Sequence, residues 1–172
     1  MNPRGPLFIL LFLCSAAVGV ATEKTDIPRT LTQKQSELIL QEAGKKQVLQ
    51  EELRFYWMVD AGEKPHCTLI NRIELLERDQ PYEQEGMNGV LTHKVKGLIK
   101  QRPVGLLVEY EADVALLEKG KEGPPESLPK TTLFLKPNEP RFVAVPDFKS
   151  SPPQASRGTL VALWIKPPEK TP

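Results

Sequence analysis

The carboxylates Glu109, Glu111 and Asp113 have the clearest potential for chemistry, because they occupy every second position of an otherwise apolar segment. In a β-strand this spacing places all three side chains on one face. Two carboxylates ~5–5.5 Å or ~6.5–9.5 Å apart serve as the catalytic pair of glycoside hydrolases. Carboxylate oxygens also bind hard divalent cations. The pattern is therefore compatible with a carbohydrate-active enzyme, a glycan binder or a cation site.

A β-hairpin with its turn at residues 101–104 predicts a different role for these carboxylates. In the register that we predict, Lys96 lies opposite Glu109 and Lys94 lies opposite Glu111, so opposite charges pair on the outer face. The same register pairs inner-face residues: Ile99 with Leu106, Val95 with Tyr110 and His93 with Ala112. We therefore expect a solvated, salt-bridged face and keep the carbohydrate-active role as the less favoured alternative.

Cys67 and its neighbour His66 are the second group with chemical potential, because a cysteine within hydrogen-bonding distance of a histidine can act as a nucleophile. Adjacent strand residues point to opposite faces, so these two side chains are not expected to meet. His93 is the other histidine, and this set is smaller than the four ligands of a usual zinc site. We expect a buried free thiol and keep a redox or metal-handling role centred on Cys67 as an alternative.

The aromatic residues Phe55, Tyr56, Trp57 and Trp164 suit either a ligand platform or a protein core. Alternation along a strand places Phe55 and Trp57 on one face and Tyr56 on the other. Aromatic side chains contribute most to core energetics. We therefore expect these residues in the core.

The elements that must position these residues are mostly strands. Segments rich in β-branched, aromatic and leucine residues predict strands at 54–60, 66–78, 89–100, 104–117, 131–136, 141–145 and 158–166. Residues 120–129 and 146–157 are expected to be Pro-rich loops. This order predicts a mainly β fold, in which an N-terminal helix precedes an antiparallel β-sandwich of about seven strands. The single domain is expected to cover residues 31–166.

One amphipathic helix is expected before the strands. Thr30 is the predicted N-cap, and Gln33 completes a capping box with it. An apolar stripe at helical spacing follows: Leu31, Leu38, Ala43, Leu49, Leu53 and Tyr56. Gly44 destabilises the middle of this helix by about 1 kcal/mol relative to alanine, so a break is expected there. The stripe predicts that the helix packs on a sheet.

Residues 133–140 read Leu-Phe-Leu-Lys-Pro-Asn-Glu-Pro and predict a turn between two strands. This string is similar to the Leu-x-Leu-x-Pro-Gly-Glu hairpins of immunoglobulin-like extracytoplasmic domains, with Asn138 in place of the usual glycine. The resemblance covers about ten residues. It implies an immunoglobulin-like style for the sandwich and no particular activity.

Residues 1–21 have the features of a secretory signal peptide. Arg4 is the only charged residue in this segment, and it precedes a long apolar run. Gly19 and Ala21 then provide small residues at the −3 and −1 positions of a cleavage site. The apolar run of about 15 residues is shorter than the ~20 residues that cross a bilayer as a helix. We therefore predict a secreted or periplasmic protein without a membrane span after cleavage.

Lipid attachment at Cys14 is a less favoured alternative to cleavage after the apolar run. A bacterial lipoprotein site has a small residue where this chain has Leu13. After the signal peptide, residues 22–30 are expected to form a polar lead. Residues 167–172 are expected to form a disordered, Pro-rich tail.

The composition excludes some classes of function. The 23 lysines and arginines balance 22 acidic residues, which is unlike a nucleic-acid binder or a polybasic membrane surface. Cleavage of the signal peptide leaves Cys67 as the one cysteine, so an intramolecular disulfide is excluded. No cofactor motif stands out. The sequence favours a non-catalytic binding or structural module of the cell envelope, which engages a protein partner through loops or a sheet edge.

Overall fold

The structure, a computed structural model of the 172-residue chain, describes residues 30–59, 65–118, 120–148 and 158–167. The predicted signal peptide, the alternative lipid site at Cys14 and the predicted tail beyond residue 167 lie outside the described residues. Of the predicted polar lead, Thr30 alone is described.

The described residues are mainly β. One helix, α1, spans Gln33–Gly44. The strands are β1 (Glu52–Val59), β2 (His66–Glu74), β3 (Asp79–Met87), β4 (Leu91–Arg102), β5 (Gly105–Glu118), β6 (Lys121–Glu122), β7 (Glu126–Leu135), β8 (Arg141–Ala144) and β9 (Thr159–Ile165).

Two antiparallel sheets contain these strands. Sheet A has the order β2-β1-β9-β8, and sheet B has the order β3-β4-β5-β7, with the short β6 also paired to β5. Sheet B is a simple meander, and sheet A pairs β1, the first strand, with β9, the last. This order differs from the Greek-key order of immunoglobulin domains. The immunoglobulin-like style expected from residues 133–140 is therefore wrong for the strand order.

The facing sides of the two sheets share one hydrophobic core. Phe55, Trp57 and Trp164 of sheet A and Ile99 and Val108 of sheet B are among its buried members. Burial of this apolar surface is the main contribution to folding. The three aromatic residues lie in the core, as the sequence predicts, rather than on an exposed platform.

Helix α1 packs on the opposite face of sheet A. Ile39 and Ala43 of the helix form a second buried cluster with Tyr56 and Met58 of β1 and Leu163 of β9. Every residue of β1 is consequently buried. The helix packs on a sheet face, as its apolar stripe predicts, and Tyr56 points away from its neighbours in the sequence.

The N-cap of α1 is Thr32 and not the predicted Thr30. The Gln35 backbone N–H donates to Thr32 Oγ1 at 3.3 Å, and the Thr32 backbone N–H donates to Gln35 Oε1 at 2.8 Å. This reciprocal pair is a capping box, displaced by two residues from the predicted box of Thr30 and Gln33. Both candidate caps are threonines with a glutamine three residues later, so local chemistry did not distinguish them.

The helix ends at Gly44, at the position where the sequence predicts a break. The later part of the predicted apolar stripe is wrong as a helix. Leu53 and Tyr56 belong to β1, and Leu49 lies between the two elements with 81% of its surface exposed. Glycine has a low helix propensity, which favours termination at this point.

Strand β3 was not predicted, because its residues Asp79–Met87 are mostly polar. Glu83 lies opposite Lys96 and Glu85 lies opposite Lys94, so cross-strand charge pairs compensate for the poor local propensity. Pro81 is tolerated because β3 is the terminal strand of sheet B. Strand β6 and the first residues of β7 likewise lie in the segment that was predicted to be a loop at 120–129.

The turn predicted within residues 133–140 connects the two sheets and does not form a hairpin. β7 ends in sheet B, and β8 begins in sheet A. Pro137 forms a parallel bridge with Trp164, and the Asn138 N–H donates to the Trp164 carbonyl at 2.7 Å. Asn138 has a φ of 59°, a left-handed conformation that asparagine adopts more readily than most residues. This geometry accounts for asparagine where the similar hairpins have glycine.

The β4–β5 hairpin is present, but its register differs from the predicted one by two residues. Lys96 lies opposite Glu111, and Lys94 lies opposite Asp113. The predicted pairs of Lys96 with Glu109 and of Lys94 with Glu111 are therefore wrong. A shift of two residues keeps each side chain on its face, because strand side chains alternate with a period of two.

Two local features favour the observed register. Arg102 pairs with Gly105, so the turn contains two residues and not the predicted four. Gly97 lies opposite Tyr110, where the neighbouring backbone approaches closely. A Cβ atom on Gly97 would lie 1.8 Å from the carbonyl oxygen of Glu109. Glycine is therefore required at this point of β4.

Substitution Gly97→Ala is expected to lower the free energy of unfolding by about 1–3 kcal/mol, because the added methyl group must displace backbone. Urea denaturation monitored by tryptophan fluorescence measures this change. Gly44→Ala is the matched control, since no atom lies within 4 Å of a Cβ built there. An equal stability of the two variants would contradict the close approach at Gly97.

Candidate binding site

The outer face of sheet B contains Glu109, Glu111 and Asp113 along one strand, as the sequence predicts. Each carboxylate has a partner: Glu109 lies 2.6 Å from Lys100 Nζ, Glu111 lies 3.1 Å from Lys96 Nζ, and Asp113 accepts a 2.6 Å hydrogen bond from Ser127 Oγ. Lys94 instead contacts Glu122 at 3.4 Å and Glu85 at 4.0 Å. The face is thus a charge network in which the partners differ from those predicted.

The carboxylates of this face are held by lysine ammonium groups or by a serine hydroxyl. The hydrogen bond and charge of Lys100 hold the pKa of Glu109 below its ordinary value. A general acid needs the opposite, a raised pKa. The adjacent shallow depression of about 300 Å³ is lined by residues of β3, β4 and β5, among them Lys94, Lys96 and Glu111. Its lining residues include no aromatic ring on which a sugar could stack.

Cys67 is buried beneath α1, and its thiol is free. His66 is exposed, and His93 lies in the core on the other side of sheet A, so neither histidine meets the thiol. Burial raises the pKa of the Cys67 thiol to about 12. Within the described part of the chain, no group of three or more histidine, cysteine or acidic side chains is arranged to hold a metal ion.

We expect native Cys67 to react with a thiol reagent at least about 100-fold more slowly than the unfolded chain at pH 8, since the thiolate is the reactive form. Mass spectrometry of the Cys67 peptide distinguishes it from Cys14. Protein in concentrated guanidinium chloride is the control for full reactivity. Fast labelling of the folded protein would support the redox alternative instead.

A buried polar network that the sequence pattern did not indicate lies between the two sheets. His93 Nδ1 lies within hydrogen-bonding distance of Asn71 Oδ1, and His93 Nε2 lies 2.9 Å from the Tyr110 hydroxyl. The Phe55 ring packs edge-on against His93 with centroids 5.4 Å apart. His93 is fully buried, and burial lowers its pKa to about 4. The network links β2 of sheet A to β4 and β5 of sheet B.

A second buried polar group lies between β1 and α1. Glu52 and Arg54 are each 1% exposed, and Arg54 Nε donates to Glu52 Oε2 at 2.7 Å. Arg54 Nη1 also donates to the carbonyl of Ala43 near the end of the helix at 3.2 Å. Glu52 Oε1 lies 3.1 Å from Arg72 Nε. In the sequence, the signal for this pair was the placement of Glu52 and Arg54 one residue apart in a largely apolar segment. The contacts of the pair stabilise the fold, because they join β1 to α1 and β2.

The two sheets meet along two seams, of which the seam between β2 and β3 is closed. Gln84 Nε2 donates to the Arg72 carbonyl at 3.0 Å, and Gln80 Nε2 donates to the Glu74 carbonyl at 3.0 Å. A Cβ on Gly86 of β3 would lie 2.3 Å from a backbone oxygen of β2. Side chains and close backbone approach therefore cover the edges of both strands here.

The second seam, between β7 and β8, is open. These are terminal strands of sheets B and A, and in the described residues neither has a ladder partner on the side that faces the other. A groove of about 1090 Å³ lies between them. Residues of both strands, of the connection between them and of the segment that begins α1 line this groove, which we call the β7–β8 groove.

The core is incompletely covered along the β7–β8 groove. The apolar side chains that pack against the main core while remaining only half-buried are Leu133, Val143, Ala144 and Phe148. One lies on β7, two on β8, and Phe148 follows β8. Half-buried apolar side chains beside unpaired strand edges are the features of a surface that accepts another strand.

Two contacts close the ends of the groove. At one end Arg141 Nε donates to the Phe134 carbonyl at 3.3 Å. At the other end the Asp147 N–H donates to Glu126 Oε1 at 2.8 Å. The edge of β7 is irregular between these ends, since the β5–β7 register shifts between Tyr110 and Ala112. The regular stretch of β7 that faces the groove is therefore its second half.

No described helix combines the length and apolar character needed to cross a membrane. Comparison of this chain with protein-family models, with curated proteins and with solved structures found no match.

Proposed function

We propose that this protein is a non-catalytic binding module that acts outside the cytoplasm and holds an extended segment of a partner protein in the β7–β8 groove. The scaffold is a β-sandwich of sheets A and B, with α1 covering one face. The observation that carries the proposal is the contrast between the two seams. One is closed by side chains, and the other, as far as the described residues extend, leaves two strand edges and apolar core residues accessible.

Strand addition is the binding mode that suits these edges. A terminal strand presents unpaired N–H and C=O groups, and an incoming strand satisfies them with main-chain hydrogen bonds. Neighbouring strands lie about 4.7–4.9 Å apart, and alternate side chains of the added strand would point toward the core. Leu133 and Val143, both half-buried, are the side chains against which they would pack.

β7 and β8 are the two walls of the groove, and their relative direction defines the hydrogen-bond ladder that an added strand would form. β7 ends and β8 begins at the same end of the molecule, next to Pro137 and Trp164, so the two walls run antiparallel to each other. An added strand would therefore be antiparallel to one wall and parallel to the other. The proposal places the protein outside the cytoplasm because residues 1–21 have the features of a secretory signal peptide.

Peptide selection tests this function. Purified protein is panned at pH 7 against a phage-displayed library of random dodecapeptides, and amide hydrogen exchange is measured with and without each selected synthetic peptide. We expect bound peptides to slow exchange at Thr131–Leu135 and Arg141–Ala144. Protection confined to β3, or the recovery of no binding peptide, would contradict strand addition in the groove.

A matched pair of substitutions gives an independent readout. Val143→Glu places a charge at the half-buried edge of β8 and is expected to weaken peptide binding at least about tenfold. Val104→Glu makes the same change at a turn position that is 75% exposed and is expected to leave binding unchanged. Circular dichroism of both variants first establishes that they are folded. Equal binding by the two variants would exclude the groove as the site.

A further inference from the structure

The charged residues of the β7–β8 groove indicate which kind of segment it accepts. The acidic side chains that line it are Glu126, Glu139 and Asp147, and the basic side chain that lines it is Arg141. Arg141 is already engaged with the Phe134 carbonyl. The groove therefore presents an excess of negative charge in a protein whose overall charge is close to zero.

Glu126 is the acidic residue that lies nearest to the core. It pairs with Val114 of β5, which is fully buried, so Glu126 occupies an inward-facing position of β7. Its Oε1 accepts the Asp147 N–H, and its Oε2 is buried with no hydrogen-bond partner among the described residues. A carboxylate that is withdrawn from water without full hydrogen bonding is unfavourable, and a partner that supplies a donor relieves this cost.

We propose that the segment bound in the β7–β8 groove is basic and presents a lysine or arginine to Glu126, with apolar residues packed against Leu133 and Val143. This inference rests on the proposed function, because it specifies the partner of the same groove. The Glu126 side chain would turn its buried Oε2 toward the groove, where the cationic donor would form a charge-assisted hydrogen bond with it. The residues of the added strand that face solvent need be neither basic nor apolar.

Glu126 also has the features of a protective residue. An inward-pointing charge on a terminal strand can discourage pairing with other chains. The two roles differ in their consequence, since a purely protective carboxylate would weaken the binding of every added strand. Under our proposal, removal of its charge instead weakens the binding of basic segments.

The sequences of the selected dodecapeptides provide the first test. We expect peptides that protect β7 and β8 from exchange to be enriched in lysine or arginine relative to the starting library. In the tightest peptide, replacement of the basic residue by glutamine is expected to weaken binding roughly tenfold, and replacement by glutamate more strongly. Groove-binding peptides without basic enrichment would overturn this inference and leave the proposed function intact.

Substitution of the protein provides the matched test. Glu126→Gln keeps the size of the side chain and is expected to weaken binding of the basic peptide roughly tenfold. The glutamine-substituted peptide is expected to bind the wild-type protein and the variant with equal affinity. Glu83→Gln removes the same charge from an exposed position of β3 and is expected to have no effect. Tighter binding of basic peptides by Glu126→Gln would identify a protective residue and overturn the inference. If the protein forms a concentration-dependent dimer that Val143→Glu abolishes, the occupant of the groove is a second copy of this chain, and the proposal of a basic segment is overturned.

Discussion

Replacement of Glu52 by glutamine is expected to lower the free energy of unfolding by about 3–5 kcal/mol, because it leaves the Arg54 charge buried without its anionic partner. Arg54 and Glu52 are each 1% exposed, so water cannot replace the lost contact. The substitution also removes one of two anionic partners of Arg72, whose Nε lies 3.1 Å from Glu52 Oε1. Urea denaturation at pH 7, monitored by tryptophan fluorescence, measures the change.

The matched control is Glu74→Gln, which removes an exposed partner of the same Arg72. Glu74 Oε1 lies 2.8 Å from Arg72 Nη2, and both side chains are 47% exposed. A pair of this kind contributes at most about 1 kcal/mol. The double variant Glu52→Leu with Arg54→Met is expected to be more stable than Glu52→Gln, since neither charge then remains buried. A loss below about 1 kcal/mol in Glu52→Gln would refute the buried pair.

The second large effect is a loss of stability on acidification that depends on His93. Burial lowers the pKa of His93 to about 4, against an ordinary value of 6.5. Between these two values the unfolded chain binds a proton that the folded protein does not, so the free energy of unfolding falls as the pH decreases from 6.5 toward 4. The full contribution is about 3 kcal/mol, of which about 2 kcal/mol is lost by pH 5. Above pH 6.5 this contribution no longer changes.

The groups around His93 support a fall in the free energy of unfolding when this residue is protonated. Asn71 and Tyr110 are its hydrogen-bond partners, and Phe55 packs on its ring, so none of its contacts in the described part of the chain is a carboxylate that would compensate a positive charge. Asn71 Oδ1 can only accept, which assigns the proton of neutral His93 to Nδ1 and makes Nε2 the acceptor of the Tyr110 hydroxyl. Protonation would convert Nε2 into a donor.

Urea denaturation of wild type and His93→Gln at pH 7 and pH 5 measures the effect, and the variant is expected to show a much smaller difference between the two pH values. His66→Gln changes the exposed histidine and should retain the wild-type pH dependence. A pH dependence that survives in His93→Gln would assign the effect to other groups.

Much of the fold was predictable because local patterns determine it. Alternation assigned Phe55 and Trp57 to one side of β1 and Tyr56 to the other, and the two hydrophobic clusters contain them in that arrangement. The same alternation assigned the faces of β4 and β5 even though the register was wrong, because a two-residue shift preserves them. The polar strand β3 was missed because its stability comes from pairing with β4 and not from its own propensity.

The candidate sites were less predictable, because they depend on contacts between distant segments. The carboxylates Glu109, Glu111 and Asp113 were expected on one face and lie on one face, but their partners come from a register that the sequence did not reveal. The network of Asn71, His93 and Tyr110 unites three strands, and only Tyr110 and His93 carried any signal of an inward position.

The sequence by itself determined which strand residues face the core and where β-structure predominates. It also determined which segment resembles a secretory signal peptide. Each of these features depends on local spacing and composition. Only the tertiary structure decided that one seam closes and the other stays open. That outcome depends on how β7 and β8 meet across the connection at 136–140, where Asn138 is held against Trp164. Local patterns hold no information about the separation of two strand edges, because packing of the whole core determines it.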